Sequence, residues 1–253
     1  MTADPGVTHT VSHGTDGKQI DVYLPAAGAG GDVPTALLWH GRGPDERDVL
    51  GPLARQVARR GLIVLVPDWR SDATDGGRGH LLESLEFARE QTPGYGGRSD
   101  RIVLAGWSAG APAAMGVALR PELVGGWRPM AVVGIASRYD WPARTTGSSP
   151  LDDLAATTAG PVPIWLVHGT ADTTMESRYS QEFALALQDR GWPVRLEEPA
   201  TDHAGAVLTE YDPELDRCRA ARSAHAVEGG LLTAQVIARA ASLADTPPGA
   251  DPR

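Results

Sequence analysis

The sequence has little cysteine, no run of basic residues and no long apolar segment. Its one cysteine, Cys218, excludes an internal disulfide, so the fold does not depend on oxidising surroundings. The formal net charge of -9 and the lack of a Lys/Arg run argue against a nucleic-acid partner, because phosphate binding needs a basic surface. No apolar run approaches the length of a membrane span, so we expect no membrane partner.

Signals for targeting, metals and cofactors are also missing. The first ten residues, MTADPGVTHT, carry neither a basic nor an apolar region typical of a signal peptide, so we expect a cytoplasmic protein. No His, Cys or carboxylate pair has metal-ligand spacing on one helix, and the glycines in HGRG are not followed by the Lys-Ser/Thr of a phosphate loop. We therefore expect no metal and no cofactor.

What the chain does contain is a regular alternation of short apolar runs with segments of helical spacing. The runs are bounded by Gly, Pro or Asp, as buried strands of a parallel sheet are. Beyond a first strand region near His9 and His13, they span residues 19–24, 35–39, 62–66, 102–104, 130–135, 164–167 and 194–197. The helical segments span residues 49–60, 81–90, 109–119, 178–190 and 231–243. This order predicts an α/β protein with a mostly parallel sheet and helices on both faces.

The length of 253 residues suits one large domain, which we place at residues 1–245. Residues 26–31 are Gly/Ala-rich and are predicted to form a loop between two strands. Residues 246–253 contain three prolines and are predicted to be a disordered tail.

The segment Gly106-x-Ser108-x-Gly110 lies between a predicted buried strand and a predicted helix. Such a sharp strand-to-helix turn needs small residues beside the serine and holds its hydroxyl clear of the backbone. The helix that follows directs its amide groups and positive dipole end at the same place. This setting favours Ser108 as a nucleophile over the alternative, a glycine-rich turn without chemistry.

A nucleophilic serine needs a base, and the base needs a carboxylate to orient it. Parallel sheets carry their sites at the carboxyl ends of the strands, where Asp172 follows residues 164–167 and His203 follows the last strand. The order Ser108, Asp172, His203 is the order expected on this architecture. Asp140, which follows residues 130–135, is a rival for the acid. We favour Asp172 because HG-x-x-D after the penultimate strand is the usual pattern.

An acyl-transfer site also needs hydrogen-bond donors for the oxyanion. We assign one donor to the backbone amide of Ala109 and the other to Arg42 in the segment HGRG, with Gly41 or Gly43 as substitutes. Trp107, next to the nucleophile, is the best candidate for a substrate-binding aromatic side chain. Three further tryptophans lie near strand ends and are weaker candidates: Trp39, Trp69 and Trp141.

Together the motifs GWSAGA, HGRG, HGTAD and the late DH resemble the α/β-hydrolase superfamily, over nearly all of residues 7–243. Within it the sequence is similar to small carboxylesterases, including the feruloyl-esterase, kynurenine-formamidase and dienelactone-hydrolase groups. It departs from hormone-sensitive-lipase-like esterases in having HGRG where HGGG is common. The resemblance implies a doubly wound, eight-stranded α/β-hydrolase fold. Residues 138–160 are too few for a helical cap, so we expect at most a small lid.

The expected function is hydrolysis of a small or accessible carboxylic ester through an acyl-enzyme, without a cofactor. Two alternatives stay open. The same three residues could cleave an amide, a formamide or a lactone, or the chain could be a catalytically silent member that binds a ligand. The sequence leaves the oligomeric state undetermined.

Overall fold

The computed structural model describes residues 6–26 and 32–242. Ten strands lie in this part of the chain: β1 (Val7–His13), β2 (Gln19–Pro25), β3 (Val33–Trp39), β4 (Ile63–Pro67), β5 (Gly97–Trp107), β6 (Ala131–Ile135), β7 (Ile164–Val167), β8 (Val194–Glu197), β9 (Thr209–Asp212) and β10 (Arg217–Ala220). The first eight form one sheet in the order β1-β2-β4-β3-β5-β6-β7-β8. Strand β2 runs antiparallel to both of its neighbours, and all the other pairs in this sheet are parallel.

Helices cover both faces of this sheet. The six helices of the described chain are α1 (Gly51–Ala58), α2 (Arg78–Gln91), α3 (Gly110–Leu119), α4 (Pro150–Ala156), α5 (Arg178–Asp189) and α6 (Ala224–Ser242). Apolar side chains of α2, α3 and α5 join the core on one face, and those of α1 and α6 join the core on the other. These observations confirm the predicted fold class, a doubly wound, mostly parallel eight-stranded sheet. None of these helices is long and apolar enough to cross a membrane.

The central strands are apolar on both sides because both of their faces are covered. In β3, Leu37 packs into one core, whereas Ala36 and Leu38 pack into the other. In β5, Leu104 and Val103 divide between the two cores in the same way. Continuous apolar runs of this kind are what the sequence shows, and they are typical of parallel strands buried between helices.

Some predicted bounds were too narrow, and two elements were missed. Strand β5 begins at Gly97 rather than residue 102, and α6 begins at Ala224 rather than residue 231. The missed elements are helix α4 and the hairpin of β9 and β10. Their sequences carry little apolar periodicity, and most residues of the hairpin are partly or fully exposed.

Three predictions fall wholly or partly outside the described residues. The loop predicted at residues 26–31 lies outside them from residue 27 onward. The tail predicted at residues 246–253 lies entirely outside them, and so does residue 243, the end of the last predicted helix. The single domain over residues 1–245 stays a prediction.

Between β6 and β7 the chain forms turns and the seven-residue helix α4. Ser149 caps α4, since its side chain accepts a hydrogen bond from the Asp152 amide, and Pro150 occupies the first position of the helix. A single short helix is the most that this segment contributes above the sheet, in agreement with the expectation of a small lid at most.

His40 ties the end of β3 to the end of β4. Its ring is fully buried, its Nδ1–H donates to the Gly41 carbonyl at 2.9 Å, and its Nε2 accepts the Trp69 amide at 3.2 Å. Burial lowers the pKa of His40 to about 4, from the usual 6.5. The residue is therefore a neutral structural anchor at neutral pH.

This anchor predicts a specific pH dependence of stability. Because the folded-state pKa is depressed, the unfolded chain binds a proton that the folded chain excludes, so stability is lost as the pH falls from about 6.5 towards 4. Between about pH 7 and about pH 4.5 we expect this residue to lower the free energy of unfolding by about 2 kcal/mol. Urea unfolding of the wild type and of His40→Gln at the two pH values measures the difference.

The control is His13→Gln, which removes an exposed histidine on β1 and should keep the pH dependence of the wild type. Equal losses of stability in the wild type and in His40→Gln would contradict the account of this anchor.

Candidate active site

Ser108 lies in a strained turn between β5 and α3. Its φ angle is +52°, in the left-handed region that residues other than glycine rarely adopt. Its amide donates to the Ile135 carbonyl at 2.9 Å, and its carbonyl accepts the Ser137 hydroxyl at 2.8 Å. These bonds to the segment after β6 hold a conformation that costs on the order of 1 kcal/mol.

The two glycines of the motif are required because the backbone on each side of Ser108 is crowded. A Cβ atom at Gly106 would lie 2.2 Å from the carbonyl carbon of Gly110, at the start of α3. A Cβ atom at Gly110 would lie 2.4 Å from the carbonyl oxygen of Trp39, at the end of β3. Neither glycine is needed for a positive φ angle. The pattern Gly-x-Ser-x-Gly therefore reflects close contact between three backbone segments at the carboxyl edge of the sheet.

His203 pairs with Asp172 across two loops that follow β8 and β7. The imidazole Nδ1–H donates to Asp172 Oδ2 at 2.7 Å. The His203 side chain is 14% exposed, whereas the Asp172 side chain is completely buried. Donation from Nδ1 leaves the Nε2 lone pair of a neutral ring free to accept a proton.

Asp172 is held as a carboxylate although it is buried. Burial acts to raise its pKa, but hydrogen bonds from His168 and His203, and from the Met175 amide, outweigh that effect. Its pKa therefore lies well below the usual range for an aspartate. The amides of Thr174 and Met175 donate to Oδ1 at 2.9 and 2.8 Å, whereas Oδ2 is bonded to His203 Nδ1 and lies 3.4 Å from His168 Nε2.

The structure brings Asp172, and not Asp140, to His203. Asp140 instead makes two hydrogen bonds with the guanidinium group of Arg138, at 2.6 and 2.5 Å. His225 lies on α6 with a half-exposed side chain, 3.7 Å from Asp202. Asp202 caps the turn after His203 by accepting the Gly205 amide at 2.7 Å. His203 therefore has the pairing expected of a base, whereas His225 does not.

Trp107 contacts His203 and does not contact the cavity in front of Ser108. Its indole Nε1 donates to the His203 carbonyl at 3.0 Å, and the two rings lie 5.1 Å apart at their centroids. A Cβ atom at Gly41 would lie 3.0 Å from the Trp107 ring, so the indole fills the space between that loop and His203. Only 7% of Trp107 is exposed. The substrate-binding role of Trp107 stays a prediction; the contacts that its indole makes are with the His203 loop.

A cavity of about 480 Å³ opens in front of Ser108. Two of its walls come from residues predicted for the site, Arg42 and Ala109. Other walls are formed by residues of the loops after β6 and β7, at the strand ends where parallel sheets carry their sites. These walls include Trp141, which the sequence indicated only as a weak candidate for substrate binding, and Arg138, Arg144 and Met175, which were not predicted for the site. Their positions after buried strands were the signal that could have identified them.

Two backbone amides at the cavity are free to act as donors. Within residues 6–26 and 32–242, neither the Arg42 amide nor the Ala109 amide donates a hydrogen bond. Ala109 stands directly before α3, so its amide lies at the positive end of that helix. The Glu46 carboxylate lies against Gly43, where a Cβ atom would meet its carboxyl carbon at 1.8 Å, so a developing oxyanion at Gly43 would face a carboxylate. This favours Arg42 over Gly43 as the second donor.

The other three candidate tryptophans differ in their positions relative to the cavity. Trp39 and Trp69 are fully buried in the core and do not reach the cavity, whereas Trp141 is 61% exposed at its rim. In the described part of the chain, no group of His, Cys, Asp or Glu side chains is arranged to hold a metal ion.

Among known proteins, similarity to this chain is found in solved structures and not in sequences. No family model matches the sequence, and no curated protein is similar to it. An esterase B from Lactobacillus rhamnosis superposes with a TM-score of 0.73 at 17% identity, over 96% of this chain and 90% of that one. A bacterial heroin esterase gives 0.67 at 21% identity, over 92% and 84% of the two chains. A putative dienelactone hydrolase from Klebsiella pneumoniae gives 0.67 at 14% identity, over 92% and 98%.

These superpositions cover most of both chains in each case, at identities that relate the folds only. The antiparallel second strand, the parallel remainder of the eight-stranded sheet and the helices on both faces agree with them. The resemblance inferred from the motifs is thereby confirmed for the architecture: the chain has the α/β-hydrolase fold.

Proposed function

We propose that this protein is a serine hydrolase that cleaves small or accessible carboxylic esters through an acyl-enzyme. Ser108 would be the nucleophile, His203 its base and Asp172 the acid that orients the base. The observation that carries the proposal is the buried, ionised Asp172 bonded to His203 Nδ1 at 2.7 Å, on the same strand-end edge as the strained Ser108 turn. A buried carboxylate, a histidine of fixed tautomer and a serine that lines the cavity are the three parts that nucleophilic catalysis needs.

In the acylation half-reaction, His203 Nε2 takes the proton of the Ser108 hydroxyl as its Oγ bonds to the ester carbonyl carbon. Asp172 stays ionised and stabilises the imidazolium that forms. The amides of Ala109 and Arg42 donate to the developing oxyanion. Such donors lower the barrier because they stabilise the negative charge that develops in the transition state. His203 then passes its proton to the alkoxide, and the alcohol departs.

In the deacylation half-reaction, a water molecule takes the place of the alcohol. His203 Nε2 removes a proton from this water as its oxygen attacks the acyl carbon. The second tetrahedral intermediate collapses, the Ser108 oxygen recovers the proton from His203, and the carboxylic acid leaves. Trp107 contributes by holding the backbone of His203 in place through both steps.

The alternatives within this chemistry are cleavage of an amide, a formamide or a lactone by the same residues. The solved structures that resemble the chain include esterases and a putative dienelactone hydrolase, which favours esters or lactones as the first substrates to test. A panel of acetate esters, acetanilides and small lactones, ranked by kcat/KM, separates these reactions. A silent ligand-binding protein would turn over none of them.

The first prediction of the proposed function concerns the nucleophile. Ser108→Ala should lower the turnover of p-nitrophenyl acetate by several orders of magnitude, on the order of 10⁶-fold, because no other group replaces the attacking oxygen. The measurement is release of p-nitrophenol by the purified wild type and variant. Ser99→Ala is the matched control, since Ser99 is exposed at the far end of the same strand, β5. Undiminished turnover in Ser108→Ala would refute the assignment.

The second prediction separates the two candidate acids. Asp172→Asn should lower kcat for p-nitrophenyl acetate by about 10²- to 10⁴-fold, because an amide neither orients the His203 ring nor stabilises its charge. Asp140→Asn removes only the partner of Arg138 and should change kcat by less than about tenfold. Steady-state kinetics of both variants test this. A larger loss of kcat in Asp140→Asn than in Asp172→Asn would reverse the assignment.

A further inference from the structure

The cavity in front of Ser108 is basic, although the protein is acidic. The chain has a formal net charge of -9, yet three of the twelve residues that line this cavity are arginines: Arg42, Arg138 and Arg144. Its lining, which lies entirely within the described residues, contains no aspartate and no glutamate. A concave site with charges of a single sign attracts ligands of the opposite sign.

Two of the three arginines are not neutralised by any carboxylate in the described part of the chain. Arg138 is paired with Asp140 and stacks on the rings of Trp141 and Tyr179, at 4.1 and 4.3 Å from their centroids. Among residues 6–26 and 32–242, by contrast, no carboxylate forms an ion pair with Arg42 or Arg144. The positive charge that is available for a ligand therefore belongs to Arg42 and Arg144.

Both arginines contact the loop after β4, Arg42 through its backbone and Arg144 through its side chain. The Arg42 carbonyl accepts the Ser71 hydroxyl at 2.5 Å, which ties the loop after β3 to the loop after β4. The Arg144 guanidinium lies against Gly76, where a Cβ atom would approach its Nη1 to 3.0 Å. Gly76 has a φ angle of +69°, which favours glycine at this point for a second reason. The loop after β4 thus supports both cationic residues at one side of the cavity.

The other lining residues that are not glycine or serine are largely apolar. They include Trp141, Pro142, Pro112 and Met175, and Trp141 is 61% exposed. A ligand that uses the whole cavity would therefore combine an apolar body with an anionic group. Guanidinium groups bind carboxylates through charge-assisted and often bidentate hydrogen bonds, which gives both affinity and orientation.

We propose that the site selects esters that carry a carboxylate, bound by the side chains of Arg42 and Arg144 beside the scissile ester group. This inference rests on the proposed function, and it names the substrate class of that same site. The carboxylate must lie within a few atoms of the scissile carbonyl, because both arginines line the same cavity of about 480 Å³ as Ser108. It can stand on the acyl side or on the alcohol side, and the experiment has one arm for each.

The test compares kcat/KM for two pairs of esters of matched shape. In the acyl-side pair, the mono-p-nitrophenyl ester of glutaric acid is set against its neutral analogue, in which an isopropyl group replaces the carboxylate. In the alcohol-side pair, p-carboxyphenyl acetate is set against p-isopropylphenyl acetate. For the wild type we expect the acid to be preferred in at least one pair, by about tenfold or more, the effect of one charge-assisted hydrogen bond.

Variants assign this preference to the arginines. Arg144→Gln should lower the acid-to-neutral ratio of kcat/KM severalfold, Arg144→Lys should keep part of it, and Arg42→Gln/Arg144→Gln should bring it to about one. Because the ratio is taken within each variant, a general loss of activity cancels. Arg239→Gln removes one exposed positive charge on α6, outside the cavity lining, and should keep the ratio of the wild type.

Two outcomes overturn the inference while leaving the proposed function intact. One is a wild type that cleaves the neutral esters as well as or better than the acids in both pairs. The other is a preference for the acids that persists in the double arginine variant. If the wild type cleaves none of the four esters and no p-nitrophenyl acetate, the proposed function fails and this inference fails with it.

Discussion

The close backbone contact where β5 turns into α3 is the constraint on which the rest of the site depends. Gly106 lies against the start of α3, and Gly110 lies against the end of β3, at distances that leave no room for a side chain. This contact forces Ser108 into the left-handed region and holds it at the carboxyl edge of the sheet. It also places α3 with its N-terminal amides at the cavity, so the proposed nucleophile and one proposed oxyanion donor come from a single turn.

A second, electrostatic constraint completes the arrangement. A buried carboxylate is unfavourable unless it is fully hydrogen-bonded, and Asp172 has partners on both of its oxygens. Trp107, which directly precedes Ser108, donates a hydrogen bond to the His203 backbone and so connects the His203 loop to the Ser108 turn. The loops after β3, β5, β7 and β8 meet at one edge of the sheet, because the strands that precede them are parallel and lie next to or near one another. The arginines of the cavity stand on this same edge, outside both cores.

Much of this could be predicted from the sequence, because the information is local. The buried runs, their alternation with helices and the polar residues after strand ends led to the sheet and to Ser108, Asp172 and His203. The rest was missed for two reasons: some elements have little apolar periodicity in their sequences, and some contacts join segments that are distant in the sequence. The β9–β10 hairpin was missed because its strands are polar and, among the described residues, pair only with each other. Helix α4 was missed although Ser149 and Pro150 mark its start. The hydrogen bond from the Trp107 indole to the backbone of His203, 96 residues later, is a contact of the second kind.

The central claim is that Ser108 is an activated nucleophile, and covalent labelling tests it most directly. The protein is treated with a fluorophosphonate, which reacts with activated serines, and the modified residue is identified by peptide mass spectrometry. Ser137 lines the same cavity and serves as an internal control, since it has no histidine partner and its hydroxyl is bonded to the Ser108 carbonyl. The account predicts one phosphonate per chain, on Ser108, with labelling lost in His203→Ala. An unlabelled protein, or a phosphonate on Ser137 or another residue, would contradict it.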